Sequence, residues 1–140
     1  MYVRLRRDAK IELIARVPLF GRCTKKELNA IASRADELTL PEGRELVRQG
    51  ERGREFVVIV DGSADVRRNG RRINQLGRGD FLGEIALLSG APRTATVTTT
   101  STTRILVLTE GAFRQVTAEL PSVQARLLAA LSARLHDDAF

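Results

Sequence analysis

Several chemistries are excluded by what this sequence lacks. It has a single cysteine, Cys23, so no internal disulfide can form. Nothing in its cysteine usage argues against a reducing compartment, and the cytoplasm is the expected location. It has a single histidine, His136, almost at the C-terminal end. Metal-dependent enzymes built on small β-barrels need several histidines with a carboxylate, so no metal site is expected. No apolar run approaches the roughly 20 residues of a membrane span, and the basic first residues lead into no signal-peptide core. A phosphate-cradling Walker loop, a nucleophile elbow and a general base with a partner are missing as well. The chain is not expected to be an enzyme.

What remains has the composition of an ordinary globular protein. At 140 residues, 43% hydrophobic and 29% charged, it is long enough for one core and short for two. The net charge of +6 is unevenly placed. Residues 1–26 carry eight basic side chains (Arg4, Arg6, Arg7, Lys10, Arg16, Arg22, Lys25, Lys26) against Asp8 and Glu12. That segment accounts for the whole excess, and the rest of the chain balances. A basic arm can hold phosphate backbones or anionic lipid. No recognition-helix or base-stacking pattern accompanies it, however, and a solvated terminus is the plainer reading.

Hydrophobic periodicity divides the chain into three zones. Ile11, Leu13, Ile14 and Val17 recur at near-helical spacing until Pro18. Thr24 to Glu27 then has the form of a capping box, opening a helix with Leu28, Ile31, Ala32 and Ala35 on one face. From 36 to 109, turn residues recur between short apolar or β-branched runs such as Phe56 to Val60. Asn69-Gly70 is a two-residue hairpin signal, because both central positions must tolerate positive φ. This rhythm predicts an antiparallel all-β roll, jelly roll or barrel. From 110 onward the pattern is helical again. Glu110 to Leu120 forms one short helix, Pro121 suits the first turn of another, and Val123, Leu127, Leu128, Leu131 and Leu135 form its apolar stripe. A terminal helix of this kind is placed to act as a lid or a dimer contact.

The segment 81–97 departs from the routine strand-and-turn pattern. Gly83 lets the backbone approach a ligand closely. Residues 84–88 suit one or two helical turns, whose first amides, at Ile85 and Ala86, would point at an anion. Ser89 to Pro92 reverses the chain and brings Arg93 back toward that turn. A guanidinium fork can bond two phosphate oxygens at once. Thr94 adds a hydroxyl beside it, while Glu84, an acceptor only, suits a sugar hydroxyl. Taken in isolation, Arg93 and Glu84 would make a surface ion pair worth about 0–1 kcal/mol.

Gly83-Glu84-Ile85-Ala86-Leu87-Leu88 followed by Pro92-Arg93-Thr94-Ala95-Thr96-Val97 resembles the phosphate-binding cassette of the cyclic-nucleotide-binding domains. That family includes catabolite activator proteins, kinase regulatory subunits and cyclic-nucleotide-gated channels. The resemblance covers nearly the whole chain. It implies a mainly β fold, an antiparallel β-roll with N-terminal helices (1–35), the roll itself (36–109, cassette 83–95) and C-terminal helices (110–140), all one domain. It implies a regulatory ligand, cAMP or cGMP, and no catalytic cofactor. Glu84 would accept from the ribose 2′-hydroxyl, Arg93 would pair with the cyclic phosphate, and the amides of Ile85 and Ala86 would bond its oxygens. Thr94 would touch phosphate or purine, Gly83 would keep the site open, and Ala95 would lie beside the ligand. Leu82 stands where many members carry an aromatic residue. Thr94 permits cGMP without demanding it, and cAMP is the favoured ligand.

The expected mechanism is a ligand-driven population shift that docks the last helix over the base. A homodimer or an effector domain would then sense that helix. The chain ends at Phe140 with no room for a helix-turn-helix, so direct operator recognition is not expected. Two other readings stand beside this one. The first is a degenerate roll serving as a structural or protein-interaction module without ligand. The second is a regulator associated with nucleic acid through its basic arm.

Overall fold

The computed structural model describes residues 7–17, 20–83 and 92–136. Among these, helices α1 (Arg7–Ala15) and α2 (Lys25–Arg34) lead into eight strands. The strands are β1 (Asp36–Leu40), β2 (Glu45–Val47), β3 (Glu55–Asp61), β4 (Ala64–Arg68), β5 (Arg71–Leu76), β6 (Phe81–Leu82), β7 (Thr96–Thr99) and β8 (Thr103–Thr109). Helices α3 (Glu110–Glu119) and α4 (Pro121–His136) follow.

Local chemistry sets the boundaries of these elements. At the start of α2 the Thr24 hydroxyl accepts from the Glu27 amide at 3.2 Å, and the Glu27 carboxylate accepts from the Thr24 amide at 2.7 Å. This is the reciprocal capping expected of that spacing. The other end of α2 is closed by Lys10, whose ammonium donates to the carbonyls of Ala35 at 2.8 Å and Ala32 at 3.2 Å. A cation on the last carbonyls of a helix satisfies orphan acceptors and complements the dipole. One side chain of the basic arm is therefore a structural tether. Thr109 ends β8 and caps α3 by accepting from the Ala112 amide. Asn69 and Gly70 both sit at positive φ, 54° and 80°, and join β4 to β5.

The strands form two antiparallel four-stranded sheets, ordered β1-β8-β3-β6 and β2-β7-β4-β5. The architecture is a β-roll of facing sheets with flanking helices, as the patterning predicts, and it stays open rather than closing into a barrel. Between the sheets lies one core, with Val57, Ile59, Leu82, Ile105 and Val107 from the first meeting Ala64, Val66, Leu76 and Val97 from the second. On the far side of the first sheet Phe56, Val58, Val60, Leu106 and Leu108 pack under the helices, against Ile14, Ile31, Phe113, Val116, Val123 and Leu127. Each such fully buried side chain contributes about 1.5–3 kcal/mol. Strands β3 and β8 are therefore buried on both faces, which is why their sequences are continuous apolar runs.

The stripe expected on the last helix needs one correction. Val123 and Leu127 are buried, but Leu128 is 55% exposed. Leu128 lies one residue, about 100° of helical turn, past Leu127, and the buried face of α4 does not extend that far. The side chains of Leu131 and Leu135 lie outside the described residues.

Candidate functional site

Strand β6 delivers Gly83 to the site and is itself held firmly. Leu82 pairs with Val57 and lies 1% exposed in the inter-sheet core. Phe81 pairs with Val58 and stacks near Phe56, with ring centroids 5.7 Å apart; Phe56 in turn lies 4.9 Å from Phe113 of α3. Directly after this anchor, Gly83 adopts φ +102°. A Cβ placed there would lie 2.5 Å from Arg93 Nη1 and 2.5 Å from the Glu55 carbonyl oxygen. Only glycine meets both the conformation and the close approach.

Arg93 is only 8% exposed, an unusual degree of burial for a guanidinium. Its Nη2 donates to the Glu55 carbonyl at 2.6 Å, which fixes the plane of the fork beside Gly83. Its backbone is held on both sides by the 48–54 loop, the amide donating to the Glu51 carbonyl at 2.8 Å and the carbonyl accepting from the Gly50 amide at 2.9 Å. Pro92 and Arg52 form a further β-bridge there. Ala95 is buried in the inter-sheet core. Thr94 is exposed, and its carbonyl accepts from Arg68 Nε at 3.0 Å. The structure thus brings Gly83 and Arg93 into contact and seats Ala95 beside the interior. Glu84, Ile85 and Ala86 lie outside the described residues.

A cavity of about 430 Å³ opens beside Arg93, lined by Leu46, Val47, Arg48, Glu51, Arg52, Arg54 and Glu55. This is the size of a small-molecule site, with an apolar wall and a few convergent charged groups. Arg48 pairs with Glu45 at 2.8 Å and Glu51 at 3.6 Å, and the Glu45 hydrogen bond tightens its hold on its proton. Arg52 lies 4.0 Å from Glu110. The lining is cationic on balance and suited to an anion. The carbonyl of Glu55 and the Gly50–Glu51 bracket were not found by reasoning from side chains. Backbone acceptors leave no signature in residue type, and only the glycines of that loop mark it in the sequence.

The remaining chemistry-bearing groups lie elsewhere. Cys23 is half-buried against the helical core, and burial pushes its thiol pKa up, which disfavours the reactive thiolate. Glu37 is 2% exposed and pairs with Arg104 at 3.0 Å; burial outweighs Arg104 and Lys10 and raises its carboxyl pKa. Among the described residues no three His, Cys, Asp or Glu side chains are grouped to hold a metal ion, and no helix is long and apolar enough to cross a membrane.

Comparison with known proteins bears on the family and the fold. The family model described as the cyclic nucleotide-binding domain matches residues 37–119. A cAMP-dependent protein kinase regulatory subunit of Mycosarcoma maydis is 36% identical over 119 residues, covering 79% of this chain and 23% of that protein. A cyclic nucleotide-gated potassium channel of Mesorhizobium japonicum is 35% identical over 112 residues, covering 80% and 31%. The regulatory domain of Toxoplasma gondii protein kinase A, solved with cAMP, superposes with a TM-score of 0.80 at 25% identity, covering 91% and 50%. The chain spans about a quarter to a third of the length of the curated relatives it matches. The chain belongs to the cyclic nucleotide-binding domain family.

Proposed function

We propose that this chain is a regulatory module that binds a cyclic nucleotide, cAMP in the first place and cGMP more weakly, within a single domain spanning 1–140. The observation that carries the reading is the buried Arg93 guanidinium, held by the Glu55 carbonyl against Gly83 at the edge of an open cationic cavity. A buried guanidinium beside a cavity is poised for an anion, and its fork suits two oxygens of one phosphate. Relatives named for cAMP-dependent kinase regulation and cyclic-nucleotide gating support that ligand class. In this reading Arg93 takes the cyclic phosphate together with the amides of Ile85 and Ala86, Glu84 takes the ribose, Thr94 reaches phosphate or purine, and Ala95 lies beside the ligand.

The output is a population shift in the C-terminal helix, driven by the difference in ligand affinity between its two positions. Exposed Leu128 on α4 supports a contact with a second copy or an effector domain at that helix. The module acts in the cytoplasm and catalyses no reaction. The nucleic-acid reading gains nothing from Lys10, which is spent on the end of α2. Calorimetric titration with cAMP and cGMP tests the proposal. Arg93→Ala should weaken binding by about 100-fold or more, since it removes a charge-assisted pair. Equal affinity of variant and parent would remove Arg93 from the site.

A further inference from the structure

Strands β4 and β5 meet at the Asn69-Gly70 turn, far along the chain from Arg93, yet hydrogen bonds tie the two places together. Half-buried Gln49 uses both ends of its side-chain amide on one residue. Its Nε2 donates to Asn69 Oδ1 at 2.8 Å, and its Oε1 accepts from the Asn69 amide at 2.8 Å. The Gln49 amide donates to the Thr96 hydroxyl at 2.9 Å. The next two residues, Gly50 and Glu51, are the pair that bracket the Arg93 backbone. On the other side of the turn, Arg68 Nε donates to the Thr94 carbonyl. Followed around, these bonds and the peptide links between them form a closed ring through Gln49, Asn69, Arg68, Thr94, Arg93 and Gly50.

We propose that Gln49 is a positioning residue for Arg93, clamping the 48–54 loop to the Asn69 turn so that the guanidinium is presented in a fixed place. The proposal rests on the ligand reading above. A bidentate phosphate contact tolerates errors of only about 0.5 Å in the group that makes it. Among the described residues, the loop that holds the Arg93 backbone has no strand pairing of its own beyond the Arg52–Pro92 bridge. An exposed loop of that kind opens locally at little cost unless something ties it down. Asn69 is a suitable anchor because its left-handed conformation leaves a turn amide that needs an acceptor, and Gln49 supplies it.

Three variants separate the clamp from the turn. Gln49→Ala removes both side-chain bonds. Asn69→Gly keeps the positive φ and the amide but loses the Oδ1 acceptor. Gln49→Glu keeps the acceptor for the Asn69 amide and loses the donor. In the ligand-free protein, amide exchange at Gly50 and Arg93 should speed up by about tenfold in Gln49→Ala while β3 and β8 amides keep their protection, as expected for two lost hydrogen bonds. Affinity for cAMP should fall by about tenfold in Gln49→Ala and by about threefold in Asn69→Gly and Gln49→Glu. On an Arg93→Ala background, Gln49→Ala should bring no further loss, because Gln49 acts through Arg93. Unchanged exchange at Gly50 and Arg93, or an equal loss with and without Arg93, would overturn the clamp. If the parent protein bound neither cAMP nor cGMP, the ligand reading would fall and the exchange comparison alone would decide the clamp.

Discussion

At the scale of single residues, Gly83 and Arg93 constrain each other. A methyl group at Gly83 would meet the Arg93 fork, which can shift, and the Glu55 backbone carbonyl, which cannot without distorting β3. The φ of +102° adds strain for any residue with a Cβ. Gly83→Ala should therefore cost about 2–4 kcal/mol of stability, read from urea midpoints, and should displace Arg93 enough to abolish tight ligand binding. Arg93 and Gly83 were legible in the sequence because their types are unusual for where they stand: a glycine after an apolar pair, an arginine after a proline turn. Glu55, Gly50 and Glu51 were not. They act through backbone atoms, and nothing in a glutamate's identity says that its carbonyl holds a guanidinium.

At the scale of elements, the boundaries follow from side chains that the sequence displays openly. Among the described residues the strands run from Asp36, the first residue of β1, to Thr109, the last of β8, within the zone expected from 36 to 109. The capping box at Thr24 lies where its spacing put it. Thr24→Ala should destabilise the protein by about 1 kcal/mol, measured by chemical denaturation, since the Glu27 amide loses its hydroxyl acceptor while the main-chain amide of residue 24 still donates to the Glu27 carboxylate. Leu128→Glu should leave the denaturation midpoint of the isolated chain unchanged, because that side chain already faces water. A large loss there would show that Leu128 packs in solution. The apolar stripe of α4 misled at this position because periodicity counts apolar residues without knowing how wide a face the neighbours will cover. The Lys10 closure of α2 was equally hidden, being a contact across a sequence separation of 25 residues.

At the scale of the whole molecule, two glutamates respond to pH in opposite senses. Burial raises the pKa of Glu37 in the folded state despite Arg104 and Lys10. The folded protein therefore holds that proton more tightly than the unfolded chain. Its contribution to stability is complete below the ordinary glutamate value of about 4.3 and is lost as pH rises through the raised value. Glu27, held low by its bond from the Thr24 amide and then by Ser122, contributes above that value and loses its contribution as pH falls. Glu37→Gln should remove the first slope and leave the second, as read from stability measured at intervals upward from about pH 2. An unchanged slope on the mildly acidic side would exclude Glu37 as its source. Strand β3 has a consequence at this same scale. Val57 and Ile59 face the space between the sheets, while Val58 and Val60 face the helices. One strand is thus a partition a single residue thick, with methyl groups on both sides. Isotope labels on those four neighbours would act as paired listening posts, two in the inter-sheet core that also holds Leu82 and Ala95 and two on the side of the helices. A disturbance crossing the partition would be heard on the second pair after the first.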